Sequence, residues 1–315
     1  MEMEIVMARF NKILAVIDPA ALEQKSLQRA ILLAHKTGAS ITAFLTIYDF
    51  SYELTTMLSV DERETMRQAV VDDRTDWLES IIQPLCDGAI SIDIKVVWHN
   101  RPFESILFEV VENNYDIIVK GTKQHDTLKS VIFTPTDWHL LRKSPVPVLL
   151  VKDHDWPEDG NIIAAVDAGT EDDEHQNLNV KMTHMALKFS ELLNGHVHLV
   201  NSYPGTPVNI AIEIPEFDPV SYTEAVKKHH TDSMHAHAKQ FPIDVNHLYI
   251  REGLPENVIP DVANEIDAEL VIIGTVGRTG ITAALIGNTA EHVIDKLDCD
   301  VLALKPDGFE CPIKR

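Results

Sequence analysis

Two tandem α/β units, each a doubly wound parallel five-stranded sheet, are what this sequence predicts, and three observations carry the prediction. Short Val/Ile-rich runs without polar alternation recur along the chain, separated by amphipathic stretches, the pattern of parallel strands covered on both faces. The second half of the 315 residues repeats the first. Apolar runs close on an aspartate or a glycine, at the strand ends where such sheets open to ligands.

In the first copy, strands near 12–17, 41–47, 91–98, 116–120 and 147–152 alternate with helical segments near 21–36, 60–84, 102–113 and 135–143. The last helix has a clear start in Thr134-Pro135-Thr136-Asp137, because proline is favoured at the first helical position. The second copy follows with strands near 162–167, 196–203, 244–250, 269–273 and 300–305. Ile13-Leu14-Ala15-Val16-Ile17-Asp18 and Ile162-Ile163-Ala164-Ala165-Val166-Asp167 are the same element. Further on the copies align without a gap. Pro102 meets Pro255, Glu112 meets Glu265, and Gly121-Thr122 meets Gly274-Thr275. Thr136, His139, Lys143 and Lys152 meet Thr289, His292, Lys296 and Lys305 in the same register. The repeat is a whole domain rather than a solenoid unit. Domains are placed at 1–153 and 161–308, with the polar, turn-rich His154–Gly160 as linker.

The formal charge of −22 disfavours nucleic acid, whose phosphates need clustered Lys and Arg, and an anionic membrane surface as partners. No apolar run approaches the roughly 20 residues of a membrane span, and the acidic N-terminus is unlike a signal peptide. Three scattered cysteines with no C-x-x-C argue against structural disulfides and zinc clusters, and the expected setting is cytoplasmic.

Leu270-Val271-Ile272-Ile273 leads directly into Gly274-Thr275-Val276-Gly277-Arg278, and Gly287 stands just before a helix. Glycines let a backbone approach a ligand, and a helix N-terminus offers unpaired N–H groups, so the stretch fits a phosphate cradle. It is not a Walker A loop, which needs Gly-Lys-Ser/Thr. A second explanation stands beside this one: the glycines make turns and Asn288-x-x-Glu291 is a helix capping box. The strand-end Asp167 likewise has a bland reading as a turn cap.

The spacing Gly-x2-Gly-x9-Gly resembles the nucleotide-binding signature of the universal stress protein family, although that family places Ser or Thr where Asn288 stands, with Thr289 behind it. The Asp18-Pro19 start, the Trp98–Glu104 run, Phe133–Leu141 and the connections after strand two extend the resemblance over essentially the whole chain, to the tandem members of the family. It implies an adenine nucleotide alpha hydrolase-like fold with strands one and four adjacent, so that Asp167 and Gly274 face one another. It implies Asp167 as the base contact, and Gly274, Gly277, Gly287, Asn288 and Thr289 as phosphate contacts, for ATP or a related adenine nucleotide. Arg278, the one cation in the loop, suits a phosphate.

The first copy has Gln124, Thr134 and Pro135 where the second has Gly277, Gly287 and Asn288, and proline removes a donor. Its pocket is not expected to take ATP in the family manner, and Asp18 is read as a structural cap. His229, His230, His235 and His237 read as the solvated face of one helix, and His196 and His198 share a strand face without a third ligand. The connections at Asp49–Leu54 and Asn209–Pro219 read either as lids or as packing over the sheet end. With no recognisable base or nucleophile, a non-enzymatic role is expected. The resemblance implies support of stress survival, including resistance to DNA-damaging agents. A slow ATPase and a carrier or sensor of an apolar small ligand are the alternatives.

Each fifth strand, Pro147–Val151 and Asp300–Leu304, is apolar and ends its own sheet in the implied order, and an uncovered apolar edge invites association. The two copies are expected to pair these edges within one chain, with a further homo-oligomer also open. A linker of about eight residues spans roughly 26 Å, against the ~5 Å between paired strands. Separately expressed halves should therefore self-associate or recombine in sedimentation. Strictly monomeric halves that ignore one another would contradict the pairing.

Overall fold

The computed structural model describes residues 10–52, 58–86, 88–124, 131–152, 154–206, 218–275 and 288–313. The chain divides into two compact units, Met1–Asp153 with Glu310–Arg315, and His154–Phe309.

The first unit runs β1 (Lys12–Val16), α1 (Lys25–Thr37), β2 (Ser40–Ile47), α2 (Val60–Ile82), β3 (Ile92–Trp98), α3 (Pro102–Asn113) and β4 (Ile117–Gly121). A two-residue antiparallel pair, β5 (Lys123–Gln124) with β6 (Val131–Ile132), then leads into α4 (Pro135–Lys143) and β7 (Val148–Val151). Its main sheet is parallel in the order β7-β4-β1-β2-β3. The second unit runs β8 (Asn161–Ala165), α5 (Asp173–Leu193), β9 (His196–Tyr203), α6 (Pro219–Ala238), β10 (Leu248–Glu252), α7 (Pro255–Glu265), β11 (Ala268–Gly274), α8 (Asn288–Lys296) and β12 (Asp300–Leu304). Its strands are parallel in the order β12-β11-β8-β9-β10. Both units are thus doubly wound five-stranded sheets with strands one and four adjacent.

Central strands are apolar because both faces are covered. Ile13, Leu14, Ile117, Ile118 and Val119 are fully buried in the first unit, as are Ile163, Leu270, Val271 and Ile272 in the second. Along β3, an outermost strand, exposed Asp93 and Lys95 alternate with half-buried neighbours, as expected where one face meets water. Helix starts follow local chemistry. Ser59 with Glu62 and Thr134 with Asp137 form capping boxes, and Asp172 and Asp218 cap α5 and α6. The acidic run at Glu171–Glu174 therefore serves a helix N-terminus.

Several expectations shift. Helix α1 begins at Lys25 rather than 21, because the Gln24 amide hooks back onto the Asp18 backbone. The strand expected from 244 begins at Leu248, after a 3₁₀ turn at Val245–His247 in which Asp244 accepts from the Asn246 N–H. The segment His154–Gly160, read as the linker, belongs to the second compact unit and packs on it. Trp156 is buried edge-on against Phe189, and His154 reaches Glu269 and Asp300, each at 3.1 Å. Tyr52 packs edge-on against Trp98, which favours packing over the sheet end for that connection; residues 53–57 and 207–217 lie outside the described set. No helix among the described residues is long and apolar enough to cross a membrane.

The histidines of α6 do not form one solvated face. His229 and His235 are exposed, whereas His230, Met234, His237 and Ala238 follow helical spacing and turn inward. His237 Nε2 lies 2.8 Å from the buried Thr183 hydroxyl. On β9, buried His198 packs against His247, with ring centres 4.4 Å apart, and its Nε2 meets Asn161 Oδ1 at 2.9 Å. Among the described residues no group of three His, Cys, Asp or Glu could hold a metal ion.

Burial pushes His198 down to about 4, with His247 and His196 adding to the effect, and lowers His230 and His237 as well. A histidine depressed in the folded state is protonated more readily when unfolded. Its contribution is complete above the ordinary value near 6.5 and is lost as pH falls toward the depressed one. Among the described residues the first unit has one comparable group, His139. Hydrogen exchange followed from pH 7 to pH 5 should show the second unit losing protection first, by at most about 1.4 kcal/mol per pH unit for each histidine. Equal loss in both units would count against this.

Candidate functional site

The strand order fixes where a ligand can sit. From β8 the chain winds outward through β9 and β10, then crosses back to β11 on the other side, so the winding reverses between β8 and β11. At such a reversal the connections leave in opposite directions and a crevice remains beyond the strand ends. A cavity of about 450 Å³ lies there, lined by Asp167, Asn179, Asn201, His230, Gly274 and Thr289 among others. Its apolar lining includes Leu178, Met182, Ile259, Ile273 and Val293.

Each wall has a local cause. Asn179 Oδ1 accepts from the Asp167 N–H at 3.0 Å and Asn179 Nδ2 donates to the Asp167 carbonyl at 2.8 Å, which pins the strand exit and leaves the Asp167 carboxylate outward. Asn201 Nδ2 donates to the Val166 carbonyl at 3.0 Å, and its Oδ1 meets His230 Nδ1 at 2.9 Å. Gly274 ends β11 where a side-chain carbon would come 2.5 Å from Leu178 Cδ2, so a larger residue there would have to displace the Leu178 side chain. Beyond it Thr275 latches to the Leu304 carbonyl through its N–H (2.9 Å) and hydroxyl (3.1 Å). Lys305 Nζ donates to the Thr275 carbonyl at 2.8 Å, and burial brings this ammonium down to about 8.

Of the sequence-predicted residues, Asp167, Gly274 and Thr289 are brought together on this one cavity. Asn288 begins α8, its side chain lying outside the described set, and Gly277, Arg278 and Gly287 fall outside it altogether. Asn179, Asn201 and His230 were not legible as site residues. Their partners are backbone groups or amides distant in sequence, and no short motif marks them.

The first unit repeats the frame with a different filling. Gln24 holds the Asp18 backbone as Asn179 holds Asp167, with Nε2 to the Asp18 carbonyl at 2.7 Å and Oε1 to its N–H at 3.1 Å. The Asp18 carboxylate caps Ala20 N–H at 2.9 Å. Thr122 latches to the Val151 carbonyl as Thr275 does to that of Leu304. The cavity is smaller, about 240 Å³. Beside it Lys120 Nζ stands 2.6 Å from Asp137 Oδ1, both side chains nearly or wholly buried. In the gap-free alignment these positions meet Ile273 and Ala290, two of the residues lining the larger cavity. That paired departure, cation and anion against two apolar residues, was the signal in the sequence that motif reading overlooked.

The sequence profile of the universal stress protein family matches residues 9–152 and again 161–305. The chain belongs to the universal stress protein family. It is similar to universal stress protein E of Escherichia coli (strain K12), at 50% identity over 309 residues covering 98% of each chain. The universal stress protein E homolog of Haemophilus influenzae is 44% identical over 303 residues, covering 95% of this chain and 98% of the relative. Among solved structures, a functionally unknown protein from Pseudomonas aeruginosa PAO1 superposes with TM-score 0.73 at 30% identity, covering 96% of this chain and 95% of the other. A universal stress protein from Archaeoglobus fulgidus shares the fold at TM-score 0.60 and 17% identity, covering 96% and 98%. These relatives and structures match both units of the chain.

Proposed function

We propose that this tandem universal stress protein binds ATP or a related adenine nucleotide in its second unit, without turning it over, and that the first unit does not. The observation that carries the reading is the larger cavity at the β8–β11 reversal, where Asp167, Gly274 and the opening turn of α8 meet. A helix N-terminus beside a glycine turn suits phosphate, and the carboxylate at the opposite strand end suits a base with hydrogen-bond donors. Gly277, Arg278, Gly287 and Asn288 belong to the proposed phosphate contacts on the sequence reading alone. The sequence offers no recognisable catalytic base or nucleophile motif, so the role proposed is binding. In the cell it would act in the cytoplasm in survival under stress, including resistance to DNA-damaging agents, with neither nucleic acid nor membrane as partner. Pairing of the two copies within one chain belongs to the same proposal.

The apolar floor formed by Leu178, Met182, Ile259, Ile273 and Val293 favours one second reading, a carrier or sensor of an apolar small ligand. Calorimetric titration of the full chain separates the two. One ATP site per chain is expected, abolished by Gly277→Val or Gly287→Val and little changed by Gln124→Ala. Phosphate release should stay far below the ordinary enzyme scale of about 1–10³ per second. Two equivalent sites, or unaltered binding in both glycine variants, would overturn the nucleotide reading. An apolar molecule copurifying in place of nucleotide would favour the second.

A further inference from the structure

The hydrogen bonds behind the second unit's cavity run in one direction only, and they fix what its wall can offer a ligand. The Val166 carbonyl can only accept, so the Asn201 group 3.0 Å from it is the amide nitrogen. That leaves Asn201 Oδ1, an acceptor, facing His230 Nδ1 at 2.9 Å, so Nδ1 carries the proton. Nε2 of the same ring is then a lone pair. The ring is held in place by its fit against Gly169, where any side-chain carbon would collide with it, and by Tyr203, whose ring centre lies 5.6 Å away. His230 lines the cavity together with Asp167, a second group that can only accept.

We propose that His230 is the specificity-determining residue of this site: its Nε2, with the Asp167 carboxylate, reads a donor on the ligand's base, so that a 6-amino purine is taken and a 6-oxo purine is refused. The inference rests on the nucleotide reading above and names which edge of the base the site recognises. A 6-oxo group would set an acceptor against two acceptors, and a site built for a donor discriminates strongly against its absence.

The groups facing His230 are consistent with a neutral ring at pH 7. His229 on its own helix and burial both disfavour its charge, and Asp167 on the β8 exit opposes them more weakly. Tyr203 on β9 is itself held protonated by burial and by Glu252. Protonation of Nε2 at acid pH removes the acceptor and sets a cation beside Asp167.

The experiment is calorimetric titration of the full chain with ATP and with inosine triphosphate, its 6-oxo analogue, from pH 8 to pH 5. At pH 7.5 ATP should bind about tenfold more tightly. In His230→Phe, which keeps the ring and loses both nitrogens, that advantage should vanish, chiefly through weaker ATP binding. In the unaltered protein it should shrink as pH falls below the ordinary histidine range. ATP and inosine triphosphate binding equally at pH 7.5, or an undiminished ATP preference in His230→Phe, would overturn the role of His230. Should that variant fail to fold, an ATP preference unchanged at pH 5 in the unaltered protein would overturn it equally. Binding of neither nucleotide would overturn the nucleotide reading itself, a distinct outcome.

Discussion

A parallel sheet can be wound only by crossing back over one of its faces, and a doubly wound sheet must change faces once. At that change the connections part, and the carboxyl ends of two neighbouring strands are left without a helix across them. Both units obey this constraint, at β1 and β4 in the first and at β8 and β11 in the second. The backbone on either side of the gap is fixed in the same manner in both. One amide side chain, Gln24 or Asn179, grips the N–H and carbonyl of the strand-end aspartate. One threonine, Thr122 or Thr275, closes onto the last strand. The gap is thus built twice to one plan, and what differs is what fills it.

In the first unit a buried ion pair stands beside a smaller cavity of about 240 Å³. Lys120 at the end of β4 and Asp137 in the first turn of α4 meet at 2.6 Å, and the other Asp137 oxygen accepts from the Thr134 N–H and hydroxyl. Taking both charges out of water costs several kcal/mol per ion, offset only where geometry and further hydrogen bonds are good, as they are here. Removing one partner alone would leave a buried charge. The second unit has Ile273 and Ala290 at the matching positions and keeps the larger cavity. The same frame thus carries cavities of about 240 Å³ in the first unit and 450 Å³ in the second.

Much of this frame was legible in the residues. Uninterrupted Val/Ile runs place the buried strands because both faces of a parallel sheet are covered, and the constant register from Pro102/Pro255 to Lys152/Lys305 exposes the duplication. Gly274 and Asp167 stood out because strand ends on glycine and aspartate are chemically distinctive. Strand order was not legible, since nothing local in β8 names β11 as its neighbour. Nor was the inward turn of His230. Four histidines within nine positions have two on each side of the helix, and only packing against β9 decides which are buried. The start of β10 was misplaced because Val245 looks strand-like, whereas Asp244 beside it prefers to cap a turn.

Amide hydrogen exchange of the full chain with and without ATP tests the central claim most directly, because both gaps are read in one sample. Added protection should be confined to the second unit, at the β8 exit around Asp167–Asn179 and at the start of α8, while the Asp18–Ser26 and Lys120–Asp137 regions stay unchanged. Protection appearing around Asp18–Ser26, or at both gaps alike, would contradict the account that only the second unit takes the nucleotide.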